Sequence, residues 1–360
     1  MAYTTIDDPS AHFHTQLFTG DDNADRLITN DANAGDFRPD LLWLKNRSSV
    51  SSQCIFDSSR LASSESTVML RANGTGAEED KVDRFGGFET DGFTVDGNDV
   101  DTNADGDLFV AWQWKANGGT RTTNTESGND PAGGYQANTT AGFSIVDYTG
   151  TGATGTMAHG LGAVPHLMII KNREIVGSWL VYHHKNTSAP ETDILELQAN
   201  NATYDNVAYW NDTAPTSSVF TINTSNDANK DADGIIAYLW TEIQGYSKFG
   251  GYTGNGNADG PFVYTGFKPR FVLVKCSNLV ESWYIWDTTR STFNLADDIL
   301  NPNVSNAESV NADRAIDSLS NGFKLRGTNT ATNGDGDTYI YAAFAHQPFV
   351  TSGGVPCTAH

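Results

Sequence analysis

The sequence has 360 residues, enough for two or three domains at roughly 100–200 residues each. Its hydrophobic content of 38%, with 11% aromatic residues, excludes a wholly disordered chain. Acidic residues outnumber basic ones by 44 to 22, and a net charge of −22 argues against binding to nucleic-acid phosphates. The abundance of Gly, Asn, Thr, Asp and Ser favours strands joined by turns over helices.

The cysteines, the first residues and the apolar runs bear on whether the protein is disulfide-bonded, secreted or membrane-inserted. Cys54, Cys276 and Cys357 are an odd number with no close spacing, so neither a disulfide framework nor a C-x-x-C motif is predicted. The first residues lack a basic stretch followed by an apolar one, which predicts no signal peptide. No apolar run approaches the ~20 residues of a membrane helix. We therefore expect no membrane insertion.

In chain order, the first long apolar run, residues 41–44, belongs to a pattern that occurs three times. Each copy has a proline six positions before a lysine, with four consecutive apolar residues directly before that lysine. Such internal repetition is the signature of a repeated structural unit. The three copies are Pro39 with Leu41 to Lys45, Pro165 with Leu167 to Lys171, and Pro269 with Phe271 to Lys275.

The spacing beyond each lysine repeats as well. Sixty residues after the lysine comes an aspartate, Asp105, Asp231 or Asp335, inside an Asn-x-Asp-x-Asp run. Seven residues beyond the last aspartate of each run stands an aromatic residue. An aromatic held at one position in every copy predicts a buried core anchor within its unit. These residues are Trp114, Trp240 and Phe344.

The repeats divide the chain into three predicted β-sandwich domains of a jelly-roll or lectin-like kind, an all-β fold. Within each unit, short apolar runs bounded by turn residues recur about every ten positions, as in a sandwich. Continuous apolar runs such as 167–170 and 235–240 predict strands shielded on both faces. The predicted parts are 1–118 with an N-terminal arm, a flexible Gly/Thr/Asn-rich linker at 119–140, 141–245, and 246–360 with a C-terminal tail.

The Asn-x-Asp-x-Asp runs admit two interpretations. Residues 99–107 have the oxygen-ligand spacing of a calcium loop, but Trp112 stands where an EF-hand has its glutamate. Asn, Asp and Gly before a strand are also what a tight turn requires. We expect turns, with calcium as the alternative, and assign no metal ligand.

No residue pattern indicates catalysis. The sequence lacks the nucleophile, zinc-protease and phosphate-loop motifs. Glu78 and Glu79 are a pair of carboxylates of the kind glycosidases use, but an acidic chain contains many. The adjacent histidines His183 and His184 point to opposite faces of a strand and cannot share one metal ion. With His159 and His166 they are expected at the solvated surface, and neither an enzyme nor a cofactor is predicted.

Tyr209 and Trp210 are the candidate ligand-binding residues. They occur in a polar stretch, 206–212, without a counterpart in the other two units. A flat aromatic face beside Asn and Asp suits stacking on a sugar ring. The alternative is a loop side chain packed over its own domain.

Four segments resemble a known family. The opening Ala2-Tyr3-Thr4-Thr5-Ile6-Asp7-Asp8-Pro9-Ser10, the runs 248–256 and 338–345, and the ending 354–360 resemble tail-fibre-like virion structural proteins of tailed bacteriophages, the marine-phage type. His346 and Gln347 stand where that family usually has Glu-Asn, and His360 where it usually has arginine. The resemblance implies a virion component assembled in the host cytoplasm, without catalytic residues.

The expected function is therefore that of a tail fibre or tail-tip adhesin that contacts the host surface. A capsid decoration protein, of the cement or head-fibre kind, is the alternative, and a polysaccharide depolymerase is a third. The expected partners are other virion proteins and host surface glycans. We also expect a homo-oligomer, most simply a trimer, because weak contacts become tight when several copies engage together. The N-terminal unit is the expected attachment to the particle, because the flexible linker would then let the second and third units project outwards as a rigid pair.

Overall fold

The computed structural model describes residues 2–30, 37–60, 68–80, 84–97, 99–125 and 130–358. Its regular structure is almost entirely antiparallel β-sheet, and its helices are single turns of three or four residues. The predicted all-β class is confirmed.

The first unit contains a large and a small sheet. The large sheet has the strand order β1-β9-β3-β4-β5-β6, and the small one has the order β2-β8-β7. The strands are β1 (Phe13–Thr19), β2 (Arg26–Ile28), β3 (Leu41–Asn46), β4 (Gln53–Asp57), β5 (Val68–Arg71), β6 (Glu79–Asp80), β7 (Phe85–Glu89), β8 (Gly92–Val95) and β9 (Leu108–Trp114).

The second unit has the same central strand order in its large sheet, β10-β11-β12-β19-β14-β15-β16-β17, beside the pair β13-β18. Its strands are β10 (Thr122–Thr123), β11 (Gly133–Asn138), β12 (Phe143–Thr149), β13 (Gly155–Ala158), β14 (Leu167–Asn172), β15 (Trp179–His183), β16 (Asp193–Glu196), β17 (Tyr204–Asp205), β18 (Val219–Ile222) and β19 (Gly234–Trp240). Its helices are α1 (Val207–Trp210) and α2 (Asn226–Asn229).

The third unit repeats the order as β20-β28-β22-β23, with small sheets β21-β27-β26 and β24-β25. Its elements are β20 (Ser247–Thr253), β21 (Phe262–Tyr264), β22 (Phe267–Cys276), β23 (Trp283–Asp287), β24 (Asp298–Ile299), β25 (Ser309–Val310), β26 (Ile316–Leu319), β27 (Gly322–Leu325), α3 (Thr330–Asn333) and β28 (Thr338–Pro348). The register is the same in all three units, with Leu41 opposite Trp114, Leu167 opposite Trp240 and Phe271 opposite Phe344.

Both faces of the central strands are buried, as the continuous apolar runs predicted. Every residue of β3 and of β14 is buried. One face of each large sheet packs against its own small sheet; in the first unit, Leu42 and Leu44 meet Phe93 of β8 in such a local core. The other face, with Leu41 and Trp43, belongs to a core shared by all three units.

The three predicted anchors are buried, but they meet one another instead of serving separate domains. Trp114, Trp240 and Phe344 are 3%, 4% and 2% exposed. The ring centroid of Trp114 lies 6.0 Å from that of Trp240 and 5.5 Å from that of Phe344. The predicted role of an anchor within its own unit is therefore corrected, because these side chains join the three units.

The predicted linker at 119–140 is also corrected. Strand β11 within it pairs with β12 along its full length, and the β10 strand pairs with β11. Residues 126–129 lie outside the described residues. This segment extends the large sheet of the second unit, and the first unit shares the central core with the other two. The second and third units therefore do not project from a flexible linker, as had been expected.

Candidate functional site

The three units contact each other in a closed ring. At each boundary one backbone N–H donates to a carbonyl of the next unit: Glu78 to Arg173 at 2.7 Å, Thr203 to Ser277 at 2.8 Å, and Glu308 to Arg47 at 2.8 Å. The bonded positions are equivalent in the repeat, and the third bond returns to the first unit. The units are therefore related by an approximate three-fold rotation, which places equivalent loops at the same end of the ring.

A buried ionic network holds the first boundary. The Arg60 guanidinium, fully buried, pairs with Asp57 at 2.5 Å and with Glu78 at 3.0 Å. Glu78 extends to Arg173 of the second unit at 2.6 Å. The Tyr238 hydroxyl of the second unit donates to Asp57 at 2.5 Å. Burial raises the pKa of Tyr238, so this hydroxyl stays a donor.

The boundary between the third and first units repeats this network. Arg290 pairs with Asp287 at 2.5 Å and with Glu308 at 2.7 Å, and Glu308 reaches Arg47 at 2.6 Å. The indole N–H of Trp112, which stands where the second unit has Tyr238, donates to Asp287 at 3.1 Å. Two of the three boundaries therefore contain the same buried ionic network.

The boundary between the second and third units lacks this buried network, and its ion pair, Lys248 with Glu242 at 2.8 Å, is partly exposed. His183 occupies the position of the buried aspartates, and its Nε2 lies 3.1 Å from the carbonyl oxygen of Tyr341. The position of the arginines carries Asn186, which accepts from the Thr203 hydroxyl at 2.7 Å. Ala342 stands where the other boundaries have Trp112 and Tyr238, so this position offers the histidine no side-chain donor. Because the boundaries differ in their side chains, each unit has a defined neighbour on either side of it in the ring.

The histidines are thus not at the solvated surface that the sequence predicted. His159 and His183 are 0% and 1% exposed. His184, on the opposite face of the strand, lies 2.7 Å from the carbonyl oxygen of Phe249, while half-buried His166 packs against it. The burial of His183 could not be predicted without knowing that the third unit covers this face of β15.

His183 makes the stability of the ring depend on pH. Burial, and then the neighbouring His184, lowers the pKa of His183 to about 3, and its Nδ1 accepts the N–H of Lys185. Below about pH 6.5 the unfolded chain binds a proton at this residue, whereas the folded chain does not. The contribution of His183 to stability is therefore complete above pH 6.5 and is lost as the pH falls towards 3. We expect this group to cost ~2 kcal/mol of unfolding free energy between pH 7 and pH 5.

Denaturant unfolding of the His183→Gln variant at pH 7 and pH 5 measures that contribution. The difference between wild type and variant should shrink by ~2 kcal/mol at pH 5, because glutamine has no proton to gain. An unchanged difference would contradict the buried, neutral state of His183.

The three lysines of the repeat motif hold the adjacent hairpin loops. We call residues 47–52, 173–178 and 277–282 the hairpin tips. Lys45, Lys171 and Lys275 are 0% exposed, and burial lowers the pKa of each to about 8. The ammonium groups donate to backbone carbonyls of the tips: Ser49 and Ser51 for Lys45, Ile175 and Gly177 for Lys171, and Leu279 for Lys275.

Each hairpin tip presents a valine between or beside the clamped carbonyls. Val50, Val176 and Val280 follow their lysines by five positions and are 69%, 76% and 65% exposed. Lys45 and Lys171 also donate to the neighbouring unit, to Ser305 and Thr75. In the first two units the lysine therefore fixes the tip to the neighbouring unit, and in all three the valine lies exposed at the tip. The equal spacing of these valines is visible in the sequence, but their exposure depends on the fold of the tips.

The Asn-x-Asp-x-Asp runs use their polar groups in turns. Asn103 is buried, accepts the N–H of Asp21 and donates to the carbonyl of Asn23. Asn229 and Asn333 make the same kinds of contact in their units. Gly20, directly after β1, fits against this turn, since a Cβ there would lie 2.0 Å from the Ala104 oxygen. These contacts favour the turn interpretation over calcium.

Tyr209 and Trp210 do not form an exposed stacking platform. They are 7% and 1% exposed and belong to the local core of the second unit. Asn206 caps helix α1 through the N–H of Ala208 and turns both rings inwards, where the indole donates to the Asp193 carbonyl at 3.1 Å. The predicted glycan-binding site is corrected, and the alternative of a packed loop holds.

Comparison with known families matches nearly the whole chain, across all three units, to one family. Residues 8–348 match a family described as a domain of unknown function, DUF7483. No curated protein and no solved structure matches the chain. None of the helices in the described residues has the length and apolar character that a membrane span requires.

Proposed function

The chain belongs to the DUF7483 family, and we propose that this member is a surface structural protein of a tailed-phage virion, a tail fibre or tail-tip adhesin. The resemblance of its opening, of 248–256 and of 338–345 to tail-fibre-like proteins supports this function. A closed ring of stable β-units that presents repeated surface loops suits display and attachment.

Binding rather than catalysis is the role that the side chains support. The buried ionic groups Arg60 and Arg290 pair with carboxylates at the boundaries and hold the units together. The features that recur at the surface are exposed valines and aspartates, which are groups for contact. Host surface glycans and other virion proteins are the proposed partners, with copies of the chain assembling as a homo-oligomer on the particle.

The three-fold ring also favours the second candidate, a capsid decoration protein. A single chain with three-fold pseudosymmetry matches a three-fold position of a lattice, where it replaces three separate chains. A fibre shaft or tip with three-fold symmetry offers the same match. The two candidates differ in where the protein lies on the particle.

Labelling of assembled particles with an antibody against this protein, viewed by electron microscopy, tests the proposal. Label at the tail is expected for the adhesin and label over the head for the decoration protein. Purified particles that carry no label, and no band of this protein, would contradict both.

A further inference from the structure

We propose that the hairpin-tip end of the ring docks onto a homotrimeric protein of the particle, whose three-fold surface offers apolar pockets flanked by basic groups. Val50, Val176 and Val280 would enter the three pockets. This inference rests on the proposed virion function and names the partner surface of the ring.

The first support is that the valines are retained while their neighbours change. The flanking residues are serines in the first unit, Ile175 and Gly177 in the second, and Leu279 and Glu281 in the third. A side chain that is about two-thirds or more exposed contributes little to its own fold, so the fold does not require valine there.

The second support is orientation. A buried ammonium binds the carbonyls on both sides of Val50 and of Val176, and the carbonyl just before Val280. A loop held in this way loses little further conformational freedom on binding, which lowers the cost of association. The valines are therefore presented ready for contact.

The third support is charge, which selects the partner. The exposed aspartates Asp105, Asp231 and Asp335 lie in the turns beside the tips. Hydrogen bonds hold the tips beside these turns: the Ser49 hydroxyl donates to Asp107 at 2.9 Å, and the Asn278 amide donates to Asp337 at 2.9 Å. Three acidic groups around three apolar ones complement a basic rim and disfavour a second copy of this chain, whose equivalent end is equally acidic.

Symmetry supplies the last step. The three tips are equivalent under the rotation of the ring, so only a partner with its own three-fold axis can engage all of them alike. Three weak contacts on one rigid body then reinforce each other, and the combined affinity far exceeds that of one contact.

The experiment uses particles assembled without this protein, to which purified full-length chain is added back. Wild type should bind, and each single variant, Val50→Thr, Val176→Thr or Val280→Thr, should bind about tenfold more weakly. The triple variant should bind about a thousandfold more weakly or not at all. Threonine keeps the shape of valine, and the melting temperature of each variant should match that of wild type.

The matched control is the triple variant Val207→Thr, Val310→Thr and Val355→Thr, whose valines are 49%, 71% and 63% exposed but not related by the repeat. It should bind like wild type. If wild type fails to bind the particles, the virion function fails and this inference with it. If wild type and the hairpin-tip triple variant bind equally, the function stands and the docking end is wrong. A wild-type dimer by light scattering that the triple variant abolishes would identify a second copy as the occupant and overturn the proposed partner.

Discussion

The Trp114→Ala variant is expected to lose ~3–5 kcal/mol of unfolding free energy, the cost of emptying a large aromatic site in a packed core. The indole contacts rings from every unit: Phe13 at 5.0 Å in its own, Trp240 at 6.0 Å in the second, and Phe344 at 5.5 Å in the third. Its removal should therefore weaken all three units together and lower the temperature of one cooperative transition.

Calorimetry of wild type and variant measures this effect. Phe293→Ala is the control, because Phe293 is 79% exposed and its removal should leave the transition in place. If Trp114→Ala lowers a first transition and leaves a second one unchanged, the units do not share one core.

The Arg60→Met variant is expected to lose ~3–5 kcal/mol of unfolding free energy, although methionine fills much of the same space. Without the guanidinium, the Asp57 carboxylate remains fully buried with only hydrogen bonds to oppose its charge. Arg290→Met should cost a similar amount, since Asp287 is left in the same position at the other ionic boundary.

Denaturant unfolding at pH 7 checks both variants. Arg121→Met is the matched control, because the ion pair of Arg121 with Asp147 is substantially exposed and contributes at most ~1 kcal/mol. Equal losses for Arg60→Met and Arg121→Met would show that burial adds nothing to the boundary network.

The parts of the fold that depend on local pattern were predictable from the sequence. The apolar run before each lysine predicted the buried strands β3, β14 and β22, and the fixed spacing predicted buried aromatics such as Trp114. The turn role of Asn103 followed from Asn and Asp before a strand. Each of these properties is set by residues close in the chain or by an internal repeat.

The arrangement of the units was not predictable in the same way. Burial of both faces of a strand follows from its apolar run, but the run does not say whether the second face meets a small sheet or another unit. His183 looked like a surface residue because its covering, the third unit, is distant in sequence. Tyr209 and Trp210 looked exposed because their neighbours are polar, whereas the Asn206 cap turns both rings towards the core.

The closed ring is tested most directly by distances between the hairpin tips. Spin labels on cysteines introduced in pairs at Val50, Val176 and Val280 report three separations, after Cys357→Ser removes the cysteine that is not buried. The ring predicts three separations that agree within the width of the label distributions. A separation between positions 50 and 280 close to the sum of the other two would describe a linear row of units and would contradict the ring.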